Sequence, residues 1–303
     1  MLATATSARR FYQGLWRLET DAEPPFYLNG GNPLPPFLCR RLAFGDPVVD
    51  LDCEWAEAMT GEAAATVDVI EAGGRRLHCC SIGISPKMFE ILPVDGHRAV
   101  ALSGRRQDSL NRALMQLSAL DDSAYAIDIV ADFIGVLLWA TSDGPGITSS
   151  SFPQLPHLTM ITDQVLRILL PNTLTESDST WALAEDLVHE ALHQQLSVTL
   201  LEHDVFTGDY DAATGPRLNI YWRDETWTLD RALHALHVYN GLVRLRRGVL
   251  RGSVLSSGDC RLVEQALPEA QSAVAFLRDA LPQHSHFFTD DGRELLSMIC
   301  RSA

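Results

Sequence analysis

The seven residues 187–193, with the sequence Leu-Val-His-Glu-Ala-Leu-His, constrain the fold of this chain more than any other stretch. Apolar residues recur around them at helical spacing, which predicts a long buried helix that continues to about residue 201. His189 and His193 are four residues apart and therefore project from one face of that helix, one turn apart. Two imidazoles with this spacing can bind one divalent metal ion, and the Glu190 carboxylate can face the metal's open position.

The start of this helix carries the signals of a helix N-terminus. Thr175 or Ser177 is the expected cap, and acidic residues follow in the N-terminal half, where the helix dipole favours negative charge. The alternative for the two histidines is a structural role, in which both rings bond to neighbouring carbonyl groups. The long helical context favours metal binding over that alternative.

A catalytic metal site needs at least one further ligand besides two histidines on one helix. His234 is the expected third ligand, because it lies between apolar neighbours on a second predicted helix, 229–247, and needs a polar partner there. His237, one turn later, is expected to line the pocket or to support a ligand from behind. Other candidates are acidic or lie close in sequence: Glu264, Glu202, His203 and Asp204.

The rest of the pattern predicts an α+β fold that is predominantly helical, with the histidine helix packed on neighbouring helices beside a small β-sheet. Two strand-like runs around Gly73-Gly74 predict a β-hairpin. Residues 7–20 and 50–59 have weak helical periodicity, on either side of a proline-rich loop at 24–36. Strands are expected within 134–141, 149–151, 158–162 and 165–170, helices over 108–120, 259–281 and 292–301, and either state over 127–133.

The overall charge of the chain argues against some partners. Its 303 residues carry a formal net charge of −15, which does not suit a nucleic-acid-binding surface. No apolar run reaches the length of a membrane span. The six cysteines show neither metal-binding spacing nor the density of a disulfide framework. We therefore expect a cytoplasmic protein that binds neither nucleic acid nor membranes.

Taken in order along the chain, the motifs resemble those of a known family. The histidine motif, then Tyr221-Trp222-Arg223, then Leu233-His234-Ala235 are similar to successive signatures of the HExxH-type 2-oxoglutarate-dependent peptide β-hydroxylases. The serine run 149–151 also resembles a serine-containing stretch that precedes the motif in that family. The likeness extends over roughly residues 130–247.

The resemblance implies a non-haem Fe(II) oxygenase whose fold is not a double-stranded β-helix. His189, His193 and His234 would bind Fe(II), and Arg223 would pair with the distal carboxylate of 2-oxoglutarate, with Tyr221 as a weaker candidate for the same pocket. The implied reaction is hydroxylation of the β-carbon of a residue in a ribosomally synthesised peptide, which is the expected partner. From the residues alone, Arg223 is equally well a surface arginine beside Trp222.

Two other functions also fit these residues. The first is a zinc metallopeptidase, in which Glu190 is the general base that activates a metal-bound water. Against it, the predicted helix 229–247 contains no glutamate that could complete such a site. The second is a helical scaffold without catalytic activity, in which the three histidines are structural.

Two regions are expected along the chain. Residues 1–120 form an N-terminal α+β region, to which peptide recognition is assigned by elimination rather than by motif. Residues 121–303 form the metal-binding catalytic region. A single domain that includes both regions is the alternative.

Overall fold

The computed structural model describes residues 66–72, 75–82, 96–100, 102–120, 123–134, 136–142, 148–152 and 158–301. The helical periodicity predicted at 7–20 and 50–59 and the proline-rich loop at 24–36 lie outside these residues. Within them the fold is α+β and predominantly helical, as the sequence predicted, and its largest sheet is open rather than closed into a barrel.

Six short strands of the described residues form one mixed sheet. It has the order β1-β2-β4-β6-β5, with β3 paired to β4, and the β2–β4 and β4–β6 pairs are parallel. The antiparallel pairing of β1 with β2 confirms the predicted hairpin. The strands are β1 (Thr66–Ala72), β2 (Arg75–Ile82), β3 (His97–Ala99), β4 (Val136–Ser142), β5 (Ser149–Ser151), β6 (Leu158–Thr162), β7 (Ile168–Leu169), β8 (Thr173–Leu174), β9 (Arg217–Ile220) and β10 (Glu225–Thr228).

The helices of the described residues are α1 (Gly104–Ser118), α2 (Ser123–Phe133), α3 (Thr180–Glu202), α4 (Leu229–Arg251), α5 (Ser257–Ala280) and α6 (Asp290–Arg301). The ambiguous run 127–133 is therefore helical. None of these helices combines the length and the hydropathy that a membrane span requires. The predicted cytoplasmic location stays a prediction.

The strand predicted over 165–170 is wrong in its first half. Thr162 accepts a hydrogen bond from the backbone N–H of Gln164 and so starts a 3₁₀ turn over Asp163–Leu166. Only Ile168–Leu169 continues as a strand, paired with β8. A side-chain cap has thus overridden the apolar pattern at this point.

Helix α3, which carries the histidine motif, lies at the centre of the fold and packs against α1, α2 and α4. Its residues 181–188 are all buried, and they include two acidic residues, Glu185 and Asp186, among apolar ones. The helix is capped by Ser179, whose hydroxyl accepts a hydrogen bond from the N–H of Ala182 at 3.1 Å. The prediction of Thr175 or Ser177 is wrong, because Thr175 instead donates to the carbonyl of Ser177 within the preceding loop.

One buried ion pair ties α3 to α4 and α5. The guanidinium of Arg246, on α4, is fully buried and bonds both carboxylate oxygens of Glu185, on α3. It also donates to the carbonyls of Ala266, on α5, and Leu170. Every oxygen of the Glu185 carboxylate therefore has a partner, as a buried charge requires.

Helices α3 and α4 approach closely where Gly241 faces Leu192. A Cβ atom at residue 241 would lie 2.4 Å from Cδ1 of Leu192, well inside the normal contact distance of about 3.5–4.0 Å between carbons. His234 lies two turns before Gly241 on the same face of α4, and His193 follows Leu192 on α3. The missing side chain at residue 241 thus lets the two histidine-bearing segments come together.

Elements from both sides of residue 120 pack together. Strand β2 pairs with β4, and α1 packs against α3. The predicted division of the chain at residue 120 stays a prediction, as does the assignment of peptide recognition to residues 1–120.

Candidate metal centre

The three predicted histidine ligands line one pocket of about 380 Å³. His189 and His193 extend into it from α3, and His234 extends into it from α4. Such a volume is within the range of small-molecule sites in proteins. The structure therefore brings His234 next to His193, which lies 41 positions earlier in the sequence.

The ring of His193 contacts the rings of both His189 and His234. The ring centroids of His189 and His193 are 4.6 Å apart, and those of His193 and His234 are 5.4 Å apart. The Nδ1 atoms of His193 and His234 lie 3.2 Å apart. Two nitrogens that each lie 2.0–2.1 Å from one ion are separated by about 2.9–3.4 Å for angles between octahedral and tetrahedral. The observed distance fits a shared metal ion.

The electrostatics of the pocket keep two of these rings neutral. Burial lowers the pKa of His193 well below its usual value, and the neighbouring His189 and His234 lower it further. Burial lowers the pKa of His234 to about 4. Metal binding needs the neutral imidazole, so both rings have a lone pair available at neutral pH.

The Glu190 carboxylate bonds strand β5 and His189 just behind the pocket lining. Its Oε1 accepts a hydrogen bond from Ser149 at 2.7 Å, and its Oε2 accepts one from Ser151. Nδ1 of His189 lies 3.0 Å from Oε1. The Glu190 side chain is buried, and it is not among the residues that line the pocket. Both carboxylate oxygens are thus engaged within the protein.

This contact orients the first histidine. With Nδ1 of His189 bonded to Glu190, the other ring nitrogen, Nε2, is the one available to a metal ion. Burial opposes a charge on His189, but the carboxylates of Glu190 and Asp186 outweigh it and raise the pKa of the imidazole. Burial would raise the pKa of Glu190, but His189 and the serine hydroxyls hold it below its usual value. A carboxylate behind a metal-binding histidine is a common arrangement that fixes the ring and its tautomer.

Asp186 is a pocket residue that sequence reasoning missed. It lies one turn before His189 on the same face of α3, is 5% exposed, and lines the pocket beside the histidines. Its Oδ1 accepts a hydrogen bond from Ser149 at 2.8 Å, whereas its Oδ2 is buried with no hydrogen-bond partner among the described residues. Burial, with the nearby charge of Glu190, raises the pKa of Asp186 to about 7. The i, i+3, i+7 spacing of Asp186, His189 and His193 was the available signal in the sequence.

The hairpin formed by β9 and β10 brings positive charge to the pocket. Arg223 lies in its turn, where Asp224 adopts a left-handed backbone conformation with a φ of 50°. Arg223 lines the pocket together with Arg231, at the start of α4. Arg231 pairs with Glu225 at 3.3 Å and lies over the ring of Trp227 at 4.7 Å. The pocket therefore has imidazoles on one wall and two guanidinium groups on another.

Tyr239 is a second pocket residue that the sequence did not indicate. It is 4% exposed and lines the pocket from α4. Burial raises the pKa of Tyr239, although the nearby Arg223 opposes this shift. The phenol is therefore neutral at physiological pH and lies within the influence of the Arg223 guanidinium.

Two predicted site residues lie elsewhere. Tyr221 is 62% exposed, packs edge-on against Trp222 and Phe276, and is not among the residues that line the pocket. His237 is buried, and its Nε2 lies 3.0 Å from Oε1 of Gln195 on α3. Burial lowers the pKa of His237 to about 3. His237 does not line the pocket, but its charge would lower the pKa of the neighbouring His193. Its predicted role in supporting a ligand stays a prediction.

Of the alternative third ligands, Glu264, His203 and Asp204 do not line the pocket, and the side chain of Glu202 lies outside the described part of the structure. Glu264 is exposed on α5, His203 lies 3.7 Å from Asp291, and Asp204 is exposed. Among the described residues, one group of acidic and histidine side chains has potential ligand atoms that all lie within 4.8 Å of one another, namely Asp186, His189 and Glu190. His193 and His234 are not in this group, so among the described residues the ring nitrogens of His189, His193 and His234 do not all lie within 4.8 Å of one another. The group shares Asp186 and His189 with the pocket lining.

Neither a known protein family nor a curated protein sequence matches the chain. A function for this pocket therefore has to be argued from its own residues and their arrangement.

Proposed function

We propose that this protein is an Fe(II)- and 2-oxoglutarate-dependent oxygenase that hydroxylates the β-carbon of a residue in a ribosomally synthesised peptide. The observation that carries the proposal is the convergence of His189, His193 and His234 on one pocket that also presents Arg223. The peptide class of the substrate follows from the family resemblance of the motifs.

The donor set fits the metal that this activity needs. The 3.2 Å separation of the His193 and His234 Nδ1 atoms suits two ligands of one ion, and imidazole is a good ligand for iron. His189, His193 and His234 would hold the metal. When bound, Fe(II) supplies, together with 2-oxoglutarate and O₂, the oxidising power that converts C–H to C–OH while 2-oxoglutarate becomes succinate and CO₂.

The two arginines of the pocket would bind the cosubstrate. A guanidinium recognises a carboxylate through two parallel hydrogen bonds, and 2-oxoglutarate has a carboxylate at each end. Arg223 and Arg231 both line the pocket, and Arg231 is already held by Glu225 and Trp227. Arg223 is therefore the better candidate for the distal carboxylate, with the neutral Tyr239 hydroxyl beside it.

The surroundings of Glu190 favour the oxygenase over the zinc metallopeptidase. A general base must reach the proton that it removes, within about 2.6–3.2 Å or through one water. Both oxygens of Glu190 instead bond Ser149, Ser151 and His189, on the side of α3 that faces β5. In the proposed function Glu190 positions the His189 ring and takes no proton from the substrate.

Anaerobic reconstitution separates the candidate functions. The apo protein is loaded with Fe(II), and 2-oxoglutarate is added to look for the visible charge-transfer band of the Fe(II)–2-oxoglutarate chelate, which needs no knowledge of the peptide. O₂ and candidate peptides then follow. Formation of succinate with a peptide product heavier by one oxygen atom supports the proposal. Peptide cleavage by the zinc-loaded protein, without formation of succinate, would establish the metallopeptidase instead. A folded protein that takes up no metal would support the non-catalytic scaffold.

A further inference from the structure

The Asp186 carboxylate stands out as the one acidic group on the wall of the histidine pocket that is both buried and incompletely bonded. Its Oδ2 atom has no hydrogen-bond partner among the described residues, although the side chain is 95% buried, as its 5% exposure implies. Leaving a carboxylate oxygen without a partner costs free energy, so such atoms in native proteins call for an explanation. Asp186 lines the same pocket as His189, His193 and His234.

Hydrogen bonding within the protein does not supply the missing partner. Ser149 lies within bonding distance of both Asp186 Oδ1 (2.8 Å) and Glu190 Oε1 (2.7 Å). A serine hydroxyl carries a single hydrogen and can donate to only one of these acceptors at a time. Two buried carboxyl groups therefore compete for the hydrogen of Ser149, while Glu190 also bonds Ser151 and His189.

Two arginines near the site, Arg246 and Arg231, are paired with other acids, and Arg223 lines the same pocket without an ion pair to Asp186 among the described residues. Arg246 is bound to Glu185, the neighbour of Asp186 on α3, and Arg231 is paired with Glu225. No arginine forms an ion pair with Asp186 in the described part of the chain. His189 is the closest titratable base, and the potential ligand atoms of Asp186 and His189 lie within 4.8 Å of one another.

We propose that Asp186 is a fourth ligand of the metal ion in this pocket, and that it binds the ion when 2-oxoglutarate is absent. This inference rests on the proposed metal centre and adds a carboxylate to its three imidazoles. A ligand set of histidines and one carboxylate is the kind that non-haem Fe(II) oxygenases use.

The number of coordination positions explains why this ligand has to be temporary. An octahedral ion offers six positions; three imidazoles and a bidentate 2-oxoglutarate occupy five of them, which leaves one for O₂. Asp186 must therefore give up its position when the cosubstrate and O₂ are both bound. Its carboxylate then remains close to the ion as a hydrogen-bond acceptor. In the resting protein it would occupy a position that O₂ could otherwise take.

Titration with Co(II), in the absence of O₂ chemistry, tests the assignment on the full-length protein. Co(II) affinity and the visible ligand-field spectrum are measured for the wild-type chain and for Asp186→Asn, which preserves the shape and the Ser149 contact. We expect Asp186→Asn to bind Co(II) at least about 10-fold more weakly and to change the spectrum, as loss of a ligand should. We also expect the wild-type and Asp186→Asn spectra to become alike once 2-oxoglutarate is added.

Two controls make the outcomes separable. Glu225→Gln removes the same charge from the rim of the pocket and should leave the spectrum unchanged, so a matching change there would mean a general charge effect and overturn the assignment. Unchanged Co(II) affinity and spectrum in Asp186→Asn would overturn it while leaving the three-histidine centre intact. A wild-type chain that binds no Co(II) would sink the metal centre and the fourth ligand together.

A structural measurement covers the case in which Asp186→Asn does not fold. A crystal structure of the Co(II)-loaded wild-type protein without 2-oxoglutarate should place an Asp186 oxygen about 2.0–2.2 Å from the ion. An oxygen too far away to coordinate, with all three imidazoles bound, would refute the proposal.

Discussion

Two adjacent acidic residues on α3 belong to very different environments. Glu185 points to the junction of α3, α4 and α5, where Arg246 bonds both of its carboxylate oxygens and the remaining guanidinium hydrogens reach backbone carbonyls. Asp186 lines the histidine pocket, and one of its buried oxygens has no hydrogen-bond partner among the described residues. Two neighbouring buried acids on one helix thus differ in how completely the protein pairs them, and the less completely paired one is the ligand that we propose.

The same contrast separates two histidines on α4. His237 is bonded to Gln195 and packs inside the helix interface, whereas His234 faces His193 across the pocket. The helix thus has one histidine in a structural position and one in a position suited to a metal. Variants of the structural residues should change stability, and variants of the pocket residues should change metal affinity.

The largest effect is expected from the paired charge. Arg246→Met leaves Glu185 buried without its partner and should lower the free energy of unfolding by about 3–5 kcal/mol, measured by chemical denaturation of the apo protein. Replacing both residues, as in Glu185→Leu with Arg246→Met, should recover most of that loss, because no isolated charge remains. A single Arg246→Met variant of wild-type stability would contradict the structural role of the pair.

Variants of His193 and His234 should lower metal affinity, whereas the Arg246 variant lowers stability. His193→Ala and His234→Ala should each weaken Fe(II) or Co(II) binding by more than about 100-fold, since a lost ligand costs more than a lost supporting group. The matched control is His237→Asn, which should lower stability but leave metal affinity within a few-fold. Equal metal binding by His234→Ala and the wild-type chain would remove His234 from the site.

Glu190 combines both roles: it is buried and hydrogen-bonded like a structural residue, yet it contacts the pocket residue His189. Glu190→Gln should lower metal affinity by about 10–100-fold, the range seen when a group that orients a ligand is changed. Ser151→Ala, which removes one of the hydrogen bonds to the Glu190 carboxylate, should have a smaller effect in the same direction. Unchanged metal affinity in Glu190→Gln would show that the His189 ring needs no support from this carboxylate.

The smallest effect is expected at the exposed end of the pocket. Arg223→Ala should weaken 2-oxoglutarate binding by about 10-fold, as the loss of a charge-assisted hydrogen bond at an exposed residue does, with metal affinity unchanged. Arg231→Ala tests the competing arginine. Tyr221→Ala, an exposed aromatic residue outside the pocket, serves as the control and should change cosubstrate affinity by no more than about two-fold. A larger effect in Arg231→Ala than in Arg223→Ala would reassign the anchor.

Periodicity and spacing in the sequence were enough to predict the helices that hold the histidines. The apolar repeat around His189 and His193 and the one around His234 correspond to α3 and α4, and the pairing of β1 with β2 follows from its turn. These features are local, so the pattern of a short window contains them. The parallel neighbours β2, β4 and β6 come from distant stretches, and no local pattern indicated that arrangement.

The finer detail of the site depended on packing that the sequence does not display. His234 and His237 lie on adjacent parts of one helical face, and only the position of α3 decides which ring meets His193 and which meets Gln195. In the same way, the sequence did not show that the serines of β5 and the ring of His189 bond the Glu190 carboxylate. The predicted role of Glu190 towards a metal stays a prediction. Asp186 was interpreted as a residue that favours the helix dipole, because its neighbours in space come from β5 and α4.

The contact between Gly241 and Leu192 has a consequence for how the centre could be tuned. A methyl group at residue 241 would act as a wedge between two helices that meet at van der Waals distance. Any widening there would lengthen the distance between the Nδ1 atoms of His193 and His234. The spacing of these two rings therefore depends in part on a residue that does not itself line the pocket.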